Sequence, residues 1–260
     1  MRLHLLNPNT SASMTELMAS AASSVASPGT EIFATTARVG FPYVSSRVEA
    51  EICAPHIFET IAEHRNEMDA VIISAFGDPG LIGARQLFDI PVVGVAEAAM
   101  LTACALGDRF SIVTFSDGLA DWFRDGVARA GLESRFAGMR LPSEAFQSID
   151  NVQEELGDRL VELVEEAVHS DRADVAILAG GPLAGLATKV AHRLPVPAID
   201  PVAAAVVFAE SLVRLRLSPA KAGGFARPPA KSSIGLPDRL AKRLEQTDTP
   251  APEGLHARES

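Results

Sequence analysis

The residues of this chain best suited to chemistry sit in short polar or glycine-rich turns, each of which follows an apolar run. The first is Asn7-Pro8-Asn9-Thr10-Ser11, after Leu3-His4-Leu5-Leu6. Asn9, Thr10 and Ser11 are helix N-cap residue types, and a helix start with unpaired N–H groups can hold an anion or a carbonyl oxygen. Three more turns have the same setting: SAFGDPG (74–80), TFSDG (114–118) and AGGPLAG (179–185). Groups for metal or thiol chemistry are sparse. Two cysteines, Cys53 and Cys104, are too few for a disulfide framework or a thiolate zinc site. The six histidines are scattered without His-x-His or HExxH spacing, so no metal is expected, and His56 and His64 read as solvent-facing residues of a polar helix. The run GGPLAGLATK has Leu186 where a phosphate loop needs lysine, and no GxGxxG follows a strand, so no nucleotide or other cofactor is expected.

The elements that must position these turns alternate as short β-rich runs and longer helical patterns, the signature of βα units and parallel sheets. Strands are expected at 3–6, 31–35, 70–74, 91–95, 110–115, 134–139, 174–178 and 196–200, and helices at 15–26, 54–67, 121–130, 152–169 and 202–217. Eight strands suit two four-stranded sheets. The segment DAVIISAFGDPG from Asp69 can be laid on DVAILAGGPLAG from Asp174 at one constant offset, 174 − 69 = 185 − 80 = 105. The fold class is therefore α/β, with two pseudo-symmetric Rossmann-like domains, each holding a four-stranded parallel sheet. Ligands of open α/β sheets lie beyond the carboxyl ends of the strands. Applied to both halves, that rule makes the four turns converge on an interdomain cleft. The expected division is residues 1–98 plus 205–235 for the first domain and 99–204 for the second. Residues 236–260 form an extension, with a short amphipathic helix at Leu236–Glu245, a candidate oligomer contact, and a disordered end from Thr247.

Composition narrows the partners. The net charge of −10 argues against a nucleic-acid phosphate backbone. No window approaches 18 uninterrupted apolar residues, and the N-terminus lacks a basic segment with an apolar h-region, so no membrane association and a cytoplasmic location are expected. The expected partners are a small molecule and further copies of the chain in a homo-oligomer.

The blocks NPNTS with Met14-Thr15, FGDPGL (76–81), VGVAEAAM (93–100), RFSIVT (109–114) and PPAK (228–231) closely resemble the aspartate/glutamate/hydantoin racemase superfamily, above all its hydantoin racemase branch. The resemblance runs in order over residues 1–235. It implies two α/β domains around a cleft in which one cysteine from each domain flanks the substrate. One thiolate removes a proton from the carbon next to a carbonyl, and the other thiol protonates the opposite face. Thiols suit that task because their pKa can be brought near neutrality. This chain departs from the family at both thiol positions, which are Ala75 and Gly180, again 105 residues apart. Cys53 and Cys104 read as small packing residues.

The resemblance then implies a hydantoin racemase-like enzyme for a small carboxylate, hydantoin or related cyclic amide. Its chemistry would not use cysteine: hydrolysis, decarboxylation, elimination or isomerisation. One alternative is a racemase with replacement bases, another a non-catalytic binding or regulatory protein. Tyr43 falls near a substrate-contacting serine of the branch and is a candidate acid or hydrogen-bond donor. Asp78 is the other candidate, weighed against a role in organising its turn and capping a helix. Glu97 and Asp200, which close the fourth strand of each half, are candidate supporting groups or caps. Alternation along the strand aims Ser74 away from position 75. The expected substrate-binding residues are Asn7, Asn9, Thr10, Tyr43, Ala75, Phe76, Gly77, Thr114, Gly180, Gly181 and Pro182. Two small residues where thiols stood predict a widened cleft.

Overall fold

The structure is a computed structural model, and it describes residues 1–143 and 146–248. The first half runs β1 (Arg2–Asn7), α1 (Ala12–Val25), β2 (Glu31–Thr36), α2 (Arg47–His64), β3 (Ala70–Ile73), α3 (Leu81–Leu87), β4 (Val92–Gly94) and α4 (Val95–Leu106). The second runs β5 (Phe110–Val113), α5 (Ala120–Arg129), β6 (Phe136–Arg140), α6 (Val152–Asp171), β7 (Val175–Leu178), α7 (Leu186–Val190) and β8 (Ala198–Ile199). The chain then returns as α8 (Pro201–Leu215) and α9 (Asp238–Glu245). All sheet pairings are parallel, in the orders β2-β1-β3-β4 and β6-β5-β7-β8. In both sheets the central pair is the place where strand order reverses, so a crevice opens beyond its carboxyl ends.

The internal repeat is visible in detail. β3 and β7 begin 105 residues apart (175 − 70), as do α3 and α7 (186 − 81). The acidic residue before each repeated strand has the same task in both halves. Asp69 accepts the amide of Arg2 at the start of β1, and Asp174 accepts those of Asp108 and Arg109 before β5, all near 2.8–2.9 Å. Every residue of β3, β5 and β7 is buried, which explains their unbroken apolar runs.

Three apolar clusters hold the molecule. One fills the second half and takes in Val44, Cys53 and Phe76 from the first, so the cleft floor is continuous with the second core. Another packs α1 and α8 on one face of the first sheet, joining Leu3, Leu5 and Ile72 to Val202, Val206 and Ala209. The third covers the opposite face with α2, α3 and Leu240 of α9.

Some boundaries differ from expectation. α2 begins at Arg47, seven residues early, and runs through Pro55. A capping box sets the start: Ser46 Oγ accepts the amide of Glu49, whose carboxylate accepts the amide of Ser45. α9 packs on α2 within the same chain. Its Arg243 is 1 % exposed and bonds Leu87 O, Asp89 and Asp248, with the guanidinium over the Phe88 ring. Asp248 also pairs with Arg65 and Arg227, so Thr247 and Asp248 belong to ordered structure. The rest of the segment expected to be disordered lies outside the described residues. No helix among the described residues is long and apolar enough to cross a membrane.

Candidate active site in the interdomain cleft

Three of the four turns are tied into a frame by their own side chains. Asn7 is buried, and its Nδ2 donates to Asn9 Oδ1, Thr15 Oγ1 and Ser11 O while its Oδ1 accepts the amide of Asn9. Ser11 N-caps α1. Thr114, also buried, donates its hydroxyl to Ala179 O at 2.9 Å and so links the turns after β5 and β7. The turn after β3 is fixed by Asp78, which holds a left-handed φ of 52° and whose carboxylate accepts the amides of Ala96 and Glu97 at the start of α4. Burial pushes this carboxyl up to about 6 against the pull of those two amides. Asp200 caps α8 through the amides of Val202 and Ala203 and also accepts that of Gly185. Glu97 pairs with Arg85.

The frame surrounds one small cleft. Asn9, Tyr43, Ala75, Phe76, Gly180 and Gly181 line it, together with Met14, Val44, Ser74, Leu119, Trp122 and Phe123. Positions 75 and 180 thus face one space, contributed by the two halves. Of the other residues expected at the substrate, Asn7, Thr10, Gly77, Thr114 and Pro182 stand behind the wall. The amide of Thr10 donates to Phe41 O, Gly77 O accepts from Arg129, and Pro182 O accepts from Gln153. Ser74 lies on the wall because β3 ends at Ile73 and the alternation stops there; its hydroxyl points at Met18 Sδ, 2.9 Å away.

The cleft is not widened. Its volume is about 20 Å³, room for a water molecule or two, so a ring-sized ligand enters only as the aromatic side chains around it move aside. Aromatic rings from the second half occupy the space. Gly77, at φ +138°, lies under Trp122 so closely that a Cβ would fall 2.3 Å from the indole. Gly180, at φ +125°, faces Phe115, where a Cβ would fall 2.5 Å from Cε1. Tyr43 and Phe146 flank Phe115, and Phe76 meets Phe123 edge to face at 4.7 Å. α5 carries Trp122 and Phe123 and is fastened to the first half by Arg47 on Asp125 and by Arg129 on Gly77 O. In the sequence, the TFSDG turn and the helix expected at 121–130 pointed to the region, but neither marked Trp122 or Phe123 as cleft residues.

Among the described residues, Tyr43 is the one titratable side chain on the cleft wall. Burial, with Glu49 adding to it, raises its hydroxyl far above the usual phenol value, so at neutral pH it is a donor. The N–H groups of Ala75, Phe76 and Gly180 carry no hydrogen bond to a described residue. A cleft with largely apolar walls, a phenol and wall residues whose amides are unbonded to described residues suits a carbonyl or carboxylate oxygen. Neither thiol is on its wall. Cys53 is buried in the core, where desolvation and Glu49 push its thiol up, and Cys104 is half-buried on α4. Among the described residues no three His, Cys, Asp or Glu side chains cluster as metal ligands.

Comparison with known proteins agrees with this geometry. The chain is 35 % identical over 236 residues to the hydantoin racemase of Paenarthrobacter aurescens, covering 90 % of this chain and all of that one. Its structure superposes on allantoin racemase from Klebsiella pneumoniae with a TM-score of 0.86 and 36 % identity, over 92 % of this chain and 98 % of that one. For allantoin racemase from Pseudomonas fluorescens the TM-score is 0.82 at 38 % identity, over 90 % and 100 %. The Asp/Glu/Hydantoin racemase family model matches residues 3–209, and the chain belongs to that family.

Proposed function

We propose that the cleft binds a small planar carbonyl compound, a hydantoin- or allantoin-type cyclic ureide or a related amide or carboxylate, and acts on it without a pair of thiols. One observation carries this reading: the two positions that face each other across the cleft are Ala75 and Gly180, while the donors around them, Tyr43 Oη and the turn amides, remain. Those donors hold the carbonyl oxygen and favour any step in which negative charge grows on it. Tyr43 is the candidate to give or relay a proton; Asp78 contributes by holding the turn of Ala75 and Phe76 in place. Hydrolysis, decarboxylation, elimination and isomerisation fit this donor set. A second reading, binding without turnover, is favoured by the wall itself, on which no Asp, Glu, His or Lys stands among the described residues.

The test is proton NMR in D2O with allantoin and 5-substituted hydantoins, on the parent chain and Tyr43→Phe. The expected result is binding, with a product or slow α-proton exchange that falls at least tenfold in Tyr43→Phe. Rapid α-exchange indifferent to Tyr43→Phe would overturn the role of the phenol, and binding alone would establish the second reading. Cytoplasmic residence and self-association complete the proposal. The exposed Leu101, Leu217 and Phe225 offer an apolar surface for assembly, which light scattering would detect as a mass above 27.4 kDa.

A further inference from the structure

A second cavity, of about 360 Å³, lies between the carboxyl end of β2 and α2, away from the cleft wall. That is the size of a small-molecule site. Its lining includes Thr36, Arg38, Glu59, Thr60, Glu63 and His64. Glu59 and Glu63 are four residues apart on α2 and so project on the same side. With the imidazoles neutral, two carboxylates against the one guanidinium among the described lining residues, that of Arg38, leave the cavity negative; His56 Nδ1 lies 3.6 Å from Glu59. Two of the three threonine hydroxyls in the lining, those of Thr36 and Thr60, add to this polarity, because both spend their protons inside the protein. Thr60 Oγ1 donates to His56 O at 2.8 Å. Thr15 Oγ1 donates to Ser11 O and accepts from Asn7, so in its 2.6 Å contact with Thr36 the donor is Thr36. Both threonines therefore present only lone pairs to the cavity. A smaller, water-sized void bounded by Asn7, Thr35, His56 and Thr60 adjoins it on the side of the first turn. His64, on the lining, packs edge to face on His4 beneath it; neither Nδ1 has a hydrogen-bond partner among the described residues, and that of His64 lies 3.7 Å from Glu67.

We propose that this cavity is a second binding site, for a small cation rich in N–H donors such as a guanidinium or ammonium compound, and that its occupancy is felt in the cleft. Carboxylates four residues apart and acceptor-only hydroxyls match such a ligand, since charge-assisted N–H···O⁻ bonds are about twice as strong as neutral ones. The coupling runs through three contacts. Thr36 donates to Thr15, Asn7 Nδ2 donates to Thr15 at 2.9 Å, and the same Nδ2 donates to Asn9 Oδ1 at 2.9 Å. Asn9 is on the cleft wall. A cation drawn onto Thr36 polarises its hydroxyl and strengthens the bond to Thr15, which alters how firmly Asn7 holds Asn9. None of this depends on which reaction the cleft performs.

The experiment is a ¹H–¹⁵N NMR titration of the full chain with agmatine, with sodium acetate as the anionic control. Agmatine is expected to shift the amides of residues 35–38 and 56–64 and the side-chain amide of Asn9, whereas acetate leaves residues 35–38 unmoved. Glu59→Gln with Glu63→Gln should weaken agmatine at least tenfold, and Thr36→Val should retain binding but lose the Asn9 response. No shift around the cavity, equal binding by the double glutamine variant, or preference for acetate would overturn the site. Binding with a silent Asn9 in the parent would overturn the coupling.

Discussion

Putting a side chain back at position 180 tests the packing of the cleft most directly. In Gly180→Ala the new Cβ would lie 2.5 Å from Phe115 Cε1 and within 3.5 Å of Cδ1 and Cζ, and Phe115 is itself 1 % exposed. A φ of +125° adds backbone strain of about 1–3 kcal/mol for a non-glycine residue. Overpacking a filled core adds about 1–3 kcal/mol. Taking about 4 kcal/mol as the middle of the sum, and about 2–4 °C per kcal/mol for a chain of this size, the melting temperature should fall by roughly 8–16 °C. Thermal unfolding followed by circular dichroism measures it, in a cycle of Gly180→Ala, Phe115→Leu and the pair. Leucine gives the Cβ room, so the double variant should be more stable than the two single losses predict, by about 1–3 kcal/mol. Additive losses, or a drop of less than about 2 °C for Gly180→Ala, would refute the argument that Phe115 holds the place of the missing side chain. The practical meaning is that a thiol cannot be restored at 180 by one substitution.

Asp78 should impose a pH dependence on stability. Its carboxyl is raised from 3.8 to about 6 in the folded protein, which therefore binds the proton more tightly than the unfolded chain does. Stability from this group is accordingly lost as pH rises from about 4 to about 6, by on the order of 3 kcal/mol. Guanidinium midpoints at pH 4.5 and 6.5 should show about 2 kcal/mol of that fall in the parent and not in Asp78→Asn; an equal fall in both contradicts the assignment. Arg243→Ala removes a buried guanidinium, but Asp89 is half-exposed and Asp248 keeps Arg65 and Arg227, so the change should cost about 1.5–3 kcal/mol by calorimetry, with lysine a poor substitute because it lacks the planar fork. A loss under about 1 kcal/mol would mean that α9 is only loosely attached.

The strands were legible because β3, β5 and β7 are buried on both faces and leave unbroken apolar runs, and the duplication was legible because both copies kept the acidic residue that anchors the neighbouring strand. The convergence of turns followed from topology alone. What could not be read was the direction in which a polar side chain turns. Asn7 and Thr114 have the composition of ligand-binding residues, yet their groups are consumed inside the frame. Trp122 and Phe123 escaped notice because a helical pattern shows which residues are apolar but not that two of them close a cleft against the other half. His64 and Arg243, polar members of amphipathic helices, gave no sign of burial, since the groups that receive them come from distant segments: His4 and Phe33 for one, Asp89 and Asp248 for the other. Pro55 hid the first two turns of α2, although Ser46 and Glu49 mark the start.

The return of α8 and α9 to the first sheet has a consequence for the order of events on the ribosome. The strands of the second sheet and the helices α4 to α7 that pack on them come from one continuous stretch, residues 95–199, whereas the first sheet, partly covered early by α1 on one face and by α2 and α3 on the other, waits for Val202, Val206, Ala209 and Leu240 to complete that cover. The half synthesised first is thus completed last. Leu3, Leu5 and Ile72 have only the part of their cover that α1 supplies until about four-fifths of the chain has been made, and a nascent chain stalled near residue 200 should be cut by protease within about its first ninety residues while residues 95–199 resist. Protection of the early segment at that length would mean that the first sheet finds another cover during synthesis.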